Sequence, residues 1–113
     1  MRLENSELRA FRAVIEEGGF KRAADALHLS QSAVSQAVAG LEFKLEAPLV
    51  QRGKELRLTD VGRRLFEHAV DVLRGEQQTL EDIVQLKQGK TETLSLALSA
   101  SLNRFYAPEL ISA

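Results

Sequence analysis

From Asp60 to Gln88 the sequence reads as one long helix, capped by Thr59 and stopped by Gly89. At 1.5 Å per residue it would run for about 40 Å, more than a domain this small can cover. With about 100° per residue from Val61, an apolar arc holds Leu65, Phe66, Ala69, Val72, Leu73, Leu80, Ile83, Val84 and Leu86. Arg63, Arg64, Glu67, Asp71, Arg74, Glu81 and Asp82 fall opposite. The first turns of the stripe can pack on a preceding helix, but beyond Leu73 the domain has nothing left to cover it. The stripe therefore predicts a homodimer through this helix, with Leu65, Val72, Leu73, Leu80, Ile83 and Val84 at the interface. His68, at the edge of the stripe, reads as a packing or surface residue.

Glycine and proline divide the residues before the long helix into short pieces. A first helix is expected over about Leu3 to Glu17, burying Leu8, Phe11, Val14 and Ile15 and ending at Gly18-Gly19. A second runs from about Phe20 to Leu27 with Phe20, Ala23, Ala24 and Leu27 inward. After a tight turn at His28-Leu29, Ser30 caps a third helix from Gln31 to about Leu45, with Pro48 beyond its end. Two extended pieces follow, 49–52 and 55–58, with Gly53-Lys54 suited to a hairpin tip. Three short helices and a hairpin are the winged helix-turn-helix order. The fold expected is mainly α: a winged helix-turn-helix over 1–59, then a linker and dimerisation helix over 60–88.

The third helix has two faces. Ala33, Val34, Ala37, Val38, Leu41 and Leu45 share an apolar arc, which must pack on the first two helices. Gln31, Ser32, Ser35, Gln36, Ala39 and Glu42 share the other, with uncharged hydrogen-bonding side chains gathered at the N-terminal end. A helix that reads DNA needs this arrangement, since its first turns approach base edges in the major groove. Gln can pair bidentately with adenine there, and Ser can serve either base type. Phe43 falls on the polar arc as an exception, at the far end, where a neighbouring element could cover it. The small Ala23-Ala24 pair, ten positions before Val34, suits the close crossing of a helix-turn-helix.

Charge is distributed to match. The formal charge of the whole chain is −1. From Phe20 to Arg64 there are eight bases and five acids, net +3; from Phe66 to Glu92 there are three bases and six acids, net −3. The bases gather at the start of the second helix (Lys21, Arg22), in the hairpin (Arg52, Lys54, Arg57) and at the start of the long helix (Arg63, Arg64). Neutralising phosphates supplies much of the affinity for DNA, so a basic half is what a DNA-binding face requires.

Other classes are set aside by what the chain lacks. Without Cys there is no disulfide framework, thiolate metal site or cysteine nucleophile. Two histidines, with no Gly-rich phosphate loop or metal spacing around them, give no basis for an enzyme, a metal or a cofactor. No apolar run approaches the length of a membrane span, and the start has no signal-peptide pattern, so a cytoplasmic location is expected.

The string FRAVIEEGGFKRAADALHLSQSAVSQAVAGLE, continued by LRLTDVGRRLF, closely resembles the LysR-type transcriptional regulators of bacteria. The likeness covers about residues 3–88. It rests on Phe20, Ala23-Ala24, Leu27, Ser30-Gln31, Ala33-Val34-Ser35, Leu41-Glu42, Arg52, Leu58-Thr59 and Gly62 at the family's spacing. The resemblance implies a dimeric, sequence-specific regulator of double-stranded DNA whose third helix enters the major groove. By position Gln31, Ser32 and Ser35 match residues that contact bases or adjacent phosphates, and Arg52 matches a cation at the base of the wing. The DNA-contacting set expected is Lys21, Arg22, Ser30, Gln31, Ser32, Ser35, Gln36, Arg52 and Lys54.

The sequence departs from the family pattern at four places. Ser32 replaces the usual Pro, Ala37 a longer polar residue, and Glu46 the Gly that normally follows the reading helix. The wing is one residue shorter, with Glu55 at or near a usual Arg, which makes Lys54 the better wing contact. Glu55 and Ala37 favour the alternative, a protein-interaction and dimerisation module whose winged helix no longer reads DNA. Residues 89–113, with Leu94, Leu96 and Leu98 alternating with small polar positions, resemble the opening strand and helix of the family's effector-binding domain. Ser99 and Ser101 match hydroxyls at its inducer cleft. The chain is too short for the rest of that domain, so it reads as truncated. A small-molecule effector, and a possible tetramer, are expected only of a full-length protein.

Overall fold

A computed structural model describes residues 1–89. The chain divides into a unit of residues 1–73 and a second of residues 74–113. In chain order the elements are α1 (Asn5–Glu17), α2 (Phe20–Leu27), α3 (Gln31–Leu45), β1 (Val50–Gln51), β2 (Arg57–Leu58) and α4 (Asp60–Lys87), the last of which contributes to both units.

Local signals start α1 and α3 and end α1 and α2. Glu4 and Glu7 cap the start of α1 reciprocally, the Glu4 N–H donating to the Glu7 carboxylate at 3.0 Å. Gly18, left-handed at φ 81°, ends the helix, and its N–H returns to the Val14 carbonyl. His28 closes α2 in the same conformation at φ 57°, and the Leu29 N–H bonds the Ala24 carbonyl at 2.9 Å. Ser30 Oγ then accepts the Ala33 N–H at 3.0 Å, which starts α3 as the sequence leads one to expect.

The core of the first unit joins α1, α2, α3 and the start of α4. Phe11, Val14, Ala23, Val34, Val38 and Leu41 have no exposed surface, and Leu8 and Ala24 almost none. The alanines let α2 and α3 approach closely, as the Ala23-Ala24 pair suggests. Phe66 of α4 meets Phe11 of α1 edge-on, with ring centroids 6.4 Å apart. Not every residue of the expected apolar arc of α3 is buried. Ala33 lies at the margin of the apolar arc, in the first turn of α3, and is exposed, while Ala37 is half-buried. Phe43 is 85% exposed rather than covered by a neighbour.

Long-range polar contacts fix the helix ends. Lys44 near the end of α3 donates to the Glu7 carboxylate and, at 2.8 Å, to the Arg2 carbonyl. Burial pushes the Glu7 carboxyl up, but the hydrogen bonds from Lys44 and the Glu4 N–H, with the charge of Lys44, outweigh it and hold the group below its ordinary value. Glu42 accepts the Leu49 N–H at 2.7 Å, which sets the path of the chain leaving α3.

The hairpin is shorter than the sequence pattern indicates. Only Val50 with Leu58 and Gln51 with Arg57 are paired, so residues 52–56 form the connection instead of a two-residue tip. Arg52 leaves the ladder to lie over the Phe20 ring, and 53–55 stay exposed. Thr59 joins hairpin to helix. Its N–H donates to the Leu49 carbonyl at 3.0 Å, and its hydroxyl donates to the Pro48 carbonyl at 2.7 Å while accepting the Gly62 N–H at 3.0 Å. That geometry brings the backbones together at Gly62, where a Cβ would lie 2.0 Å from the Leu49 carbonyl oxygen.

In the second unit, the described residues continue α4 to Lys87. Side-chain amides of Gln77 and Gln78 donate to Glu81 and Asp82 one turn on, at 3.2 and 3.1 Å. The apolar stripe stays open here: Leu80 is 50%, Ile83 41% and Val84 52% exposed.

Thermal melts of two variants test this local reading. Gly62→Ala should destabilise by about 3 kcal/mol, since backbone rather than a flexible side chain blocks the methyl. Glu46, left-handed at φ 53° where the family has Gly, should do the reverse: Glu46→Gly is expected to raise stability by about 1 kcal/mol. Unchanged melting for Gly62→Ala would contradict the close approach.

Candidate nucleic-acid interface

With Val34, Val38 and Leu41 buried, α3 presents a fixed outer side. Gln31, Ser32 and Gln36 are exposed and Ser35 is half-buried, so the hydrogen-bonding face foreseen in the sequence lies along the first turns. Ser30 is exposed as well. Its oxygen is engaged as the cap, but its hydroxyl hydrogen can still be donated outward. Glu42, on the same arc, is instead turned to the Leu49 N–H, which leaves its charge further from the N-terminal reading positions.

The expected cations are exposed as well. Lys21 and Arg22 are exposed in the first turn of α2, and Lys54 is exposed in the wing loop. No ion pair links Lys21, Arg22, Arg52 or Lys54 to a carboxylate among the described residues. Other bases of the basic half have acidic neighbours: Arg57 lies 3.9 Å from Glu55, Arg63 3.2 Å from Asp60 and Arg64 3.9 Å from Glu67. Those contacts are exposed and weak, but they partly offset the charge. Beside the wing, Lys54, Arg57 and Arg63 line one shallow hollow with Ile15, Gly18 and Leu58.

Arg52 is held in a way the sequence does not reveal. Its guanidinium carbon sits 4.4 Å from the centroid of the Phe20 ring. Helical spacing marks Phe20 only as an inward residue of α2. It is half-buried, packing on the core while offering a ring face to Arg52. No sequence pattern marks a contact between residues this far apart.

The residues expected at a dimer interface separate into two groups. Leu65 and Leu73 are 7% and 8% exposed in the single chain and can contribute little surface to a partner; Leu65 belongs to the chain's own core. Val72 is half-buried against that core. A 3.6-residue stripe does not say where its own domain stops using it. Leu80, Ile83 and Val84 remain open. Ser99, Ser101 and the strand pattern at 94–98 lie outside the described residues.

Three packed helices, a two-stranded wing and an exposed polar face on the third helix define a winged helix-turn-helix of the DNA-reading type. A family model described as "Bacterial regulatory helix-turn-helix protein, lysR family" matches residues 6–63. The chain belongs to that family. It is 37% identical over 106 residues to a probable RuBisCO transcriptional regulator of Trichormus variabilis, covering 93% of this chain and 32% of the relative. It is 44% identical over 94 residues to the HTH-type transcriptional regulator ArgP of Pseudomonas aeruginosa, covering 82% and 31%. Among solved structures, the complex of the BenM DBD with catB site 1 DNA superposes with a TM-score of 0.69 at 30% identity, over 74% of this chain and 94% of that one. The chain thus spans about a third of the length of the curated relatives it matches. No helix among the described residues is long and apolar enough to cross a membrane.

Proposed function

We propose that this chain is the DNA-reading part of a dimeric, sequence-specific bacterial transcriptional regulator acting in the cytoplasm without catalysis. The observation that carries the reading is the outer side of α3. Its first turns expose Gln31, Ser32 and Gln36 beside a half-buried Ser35, while Lys21, Arg22, Arg52 and Lys54 are exposed and have no carboxylate partners among the described residues. In a major groove Gln31 and Gln36 would address adenine edges and the Ser hydroxyls either base type. The four cations would hold the register by contacting phosphates, carrying little sequence information themselves. The regulator names of the relatives and the DNA in the BenM complex support the same reading.

Leu80, Ile83 and Val84 supply the dimer contact in this reading. They share one side of α4, and exposed side chains of that size gain about 1.5–3 kcal/mol each when fully buried. Two copies would bring two reading helices to one stretch of DNA, which a single domain cannot do. Regulation by a small molecule, with Ser99 and Ser101 near its cleft, and assembly to a tetramer belong to a longer protein.

Two measurements test the proposal. Selection from a randomised duplex pool should enrich one sequence, bound in a salt-sensitive complex, and Gln31→Ala with Ser35→Ala should weaken that complex at least tenfold while sparing random DNA. Equal loss on both DNAs would make these residues mere phosphate contacts, and no complex at all would favour an interaction module. In sedimentation at micromolar concentration the chain should be a dimer, and Ile83→Asp should make it a monomer. A monomeric parent chain would overturn the role of α4.

A further inference from the structure

We infer that Phe20 is a positioning residue for DNA binding: its ring holds the Arg52 guanidinium in place to receive a backbone phosphate. The inference rests on the DNA-binding reading above and assigns a device within it.

A guanidinium has two separate ways of interacting. Its flat face is attracted to the electron-rich face of an aromatic ring, and its edge carries the N–H donors that grip a phosphate bidentately. The Arg52 guanidinium carbon lies over the Phe20 ring, 4.4 Å from its centroid. No hydrogen bond or ion pair to a described residue occupies its edge. The donors therefore remain available while the long side chain is already confined.

Confinement matters because of where Arg52 sits. It is the first residue after β1, exposed at the start of the 52–56 connection, where the two-pair ladder has already ended. Phe20 is the first residue of α2, packs against the core, and directly precedes Lys21 and Arg22. The contact thus ties the base of the wing to the first residue of the helix that packs against α3, the residue that directly precedes Lys21 and Arg22 in the chain. A free arginine would have to surrender its rotamer freedom on binding; one lying on a ring has surrendered much of it in advance.

An anisotropy titration of the full chain with a labelled random-sequence duplex tests this, because a phosphate contact does not depend on sequence. Arg52→Gln should lower the slope of log K against log salt by about 0.9, the value of one lost phosphate contact. Phe20→Leu should weaken binding about two- to fivefold, the range of an exposed cation–π contact, while Phe20→Tyr, which keeps the ring, should bind as the parent does. In an Arg52→Gln background, Phe20→Leu should cost nothing further. If it costs as much there as in the parent, Phe20 acts through the core alone and the proposal falls. The proposal also falls if Phe20→Tyr is as weak as Phe20→Leu. If the parent chain forms no salt-sensitive complex, the DNA-binding reading itself fails and this inference goes with it.

Discussion

Val34, Val38 and Leu41 occupy one side of α3 and have no exposed surface, packed where Ala23 and Ala24 let α2 come close. Burying each is worth about 1.5–3 kcal/mol, so rotating α3 about its axis would forfeit several kilocalories per mole at once. Everything on the opposite side inherits that constraint. Gln31, Ser32 and Gln36 are exposed because their neighbours a half-turn away are not. The reading face is thus a by-product of core packing, and its rigidity comes from side chains that would never touch DNA.

The same core directs the chain beyond α3. Glu42, on the open side of the helix, turns its carboxylate to the Leu49 N–H, and Thr59 binds the Pro48 and Leu49 carbonyls. Wing and α4 therefore start from one small polar junction, closed at Gly62 where backbones leave no room for a methyl group. Lys44, at the same end of the helix, ties α3 to Glu7 and to the carbonyl of Arg2. These contacts give positions to exposed cations that the ladder of two paired residues could not hold by itself.

Elements governed by neighbours in sequence were legible in the sequence. Ser30 as a cap, Gly18 as a stop, Ala23 and Ala24 as inward residues of α2 and Thr59 at the head of α4 all follow from local chemistry, and each is observed. The departures arise where distance in the fold decides. Arg52, just past the two-pair ladder, lies over the Phe20 ring, and Ala33, at the margin of the apolar arc of α3, is exposed. Leu65 and Leu80 share a stripe, but one meets its own core and the other is left open. The polar face of α3 was visible from its period; the ring beneath Arg52 was not.

The claim that α3 enters a major groove as one of a pair is tested most directly by methylation interference on an enriched duplex. Methyl groups at guanine N7 lie in that groove, and should block binding in two clusters related by a two-fold axis, about one helical turn or a multiple of it apart. A single cluster would contradict the paired arrangement. Interference from adenine N3 methylation alone, in the minor groove, would contradict the placement of α3.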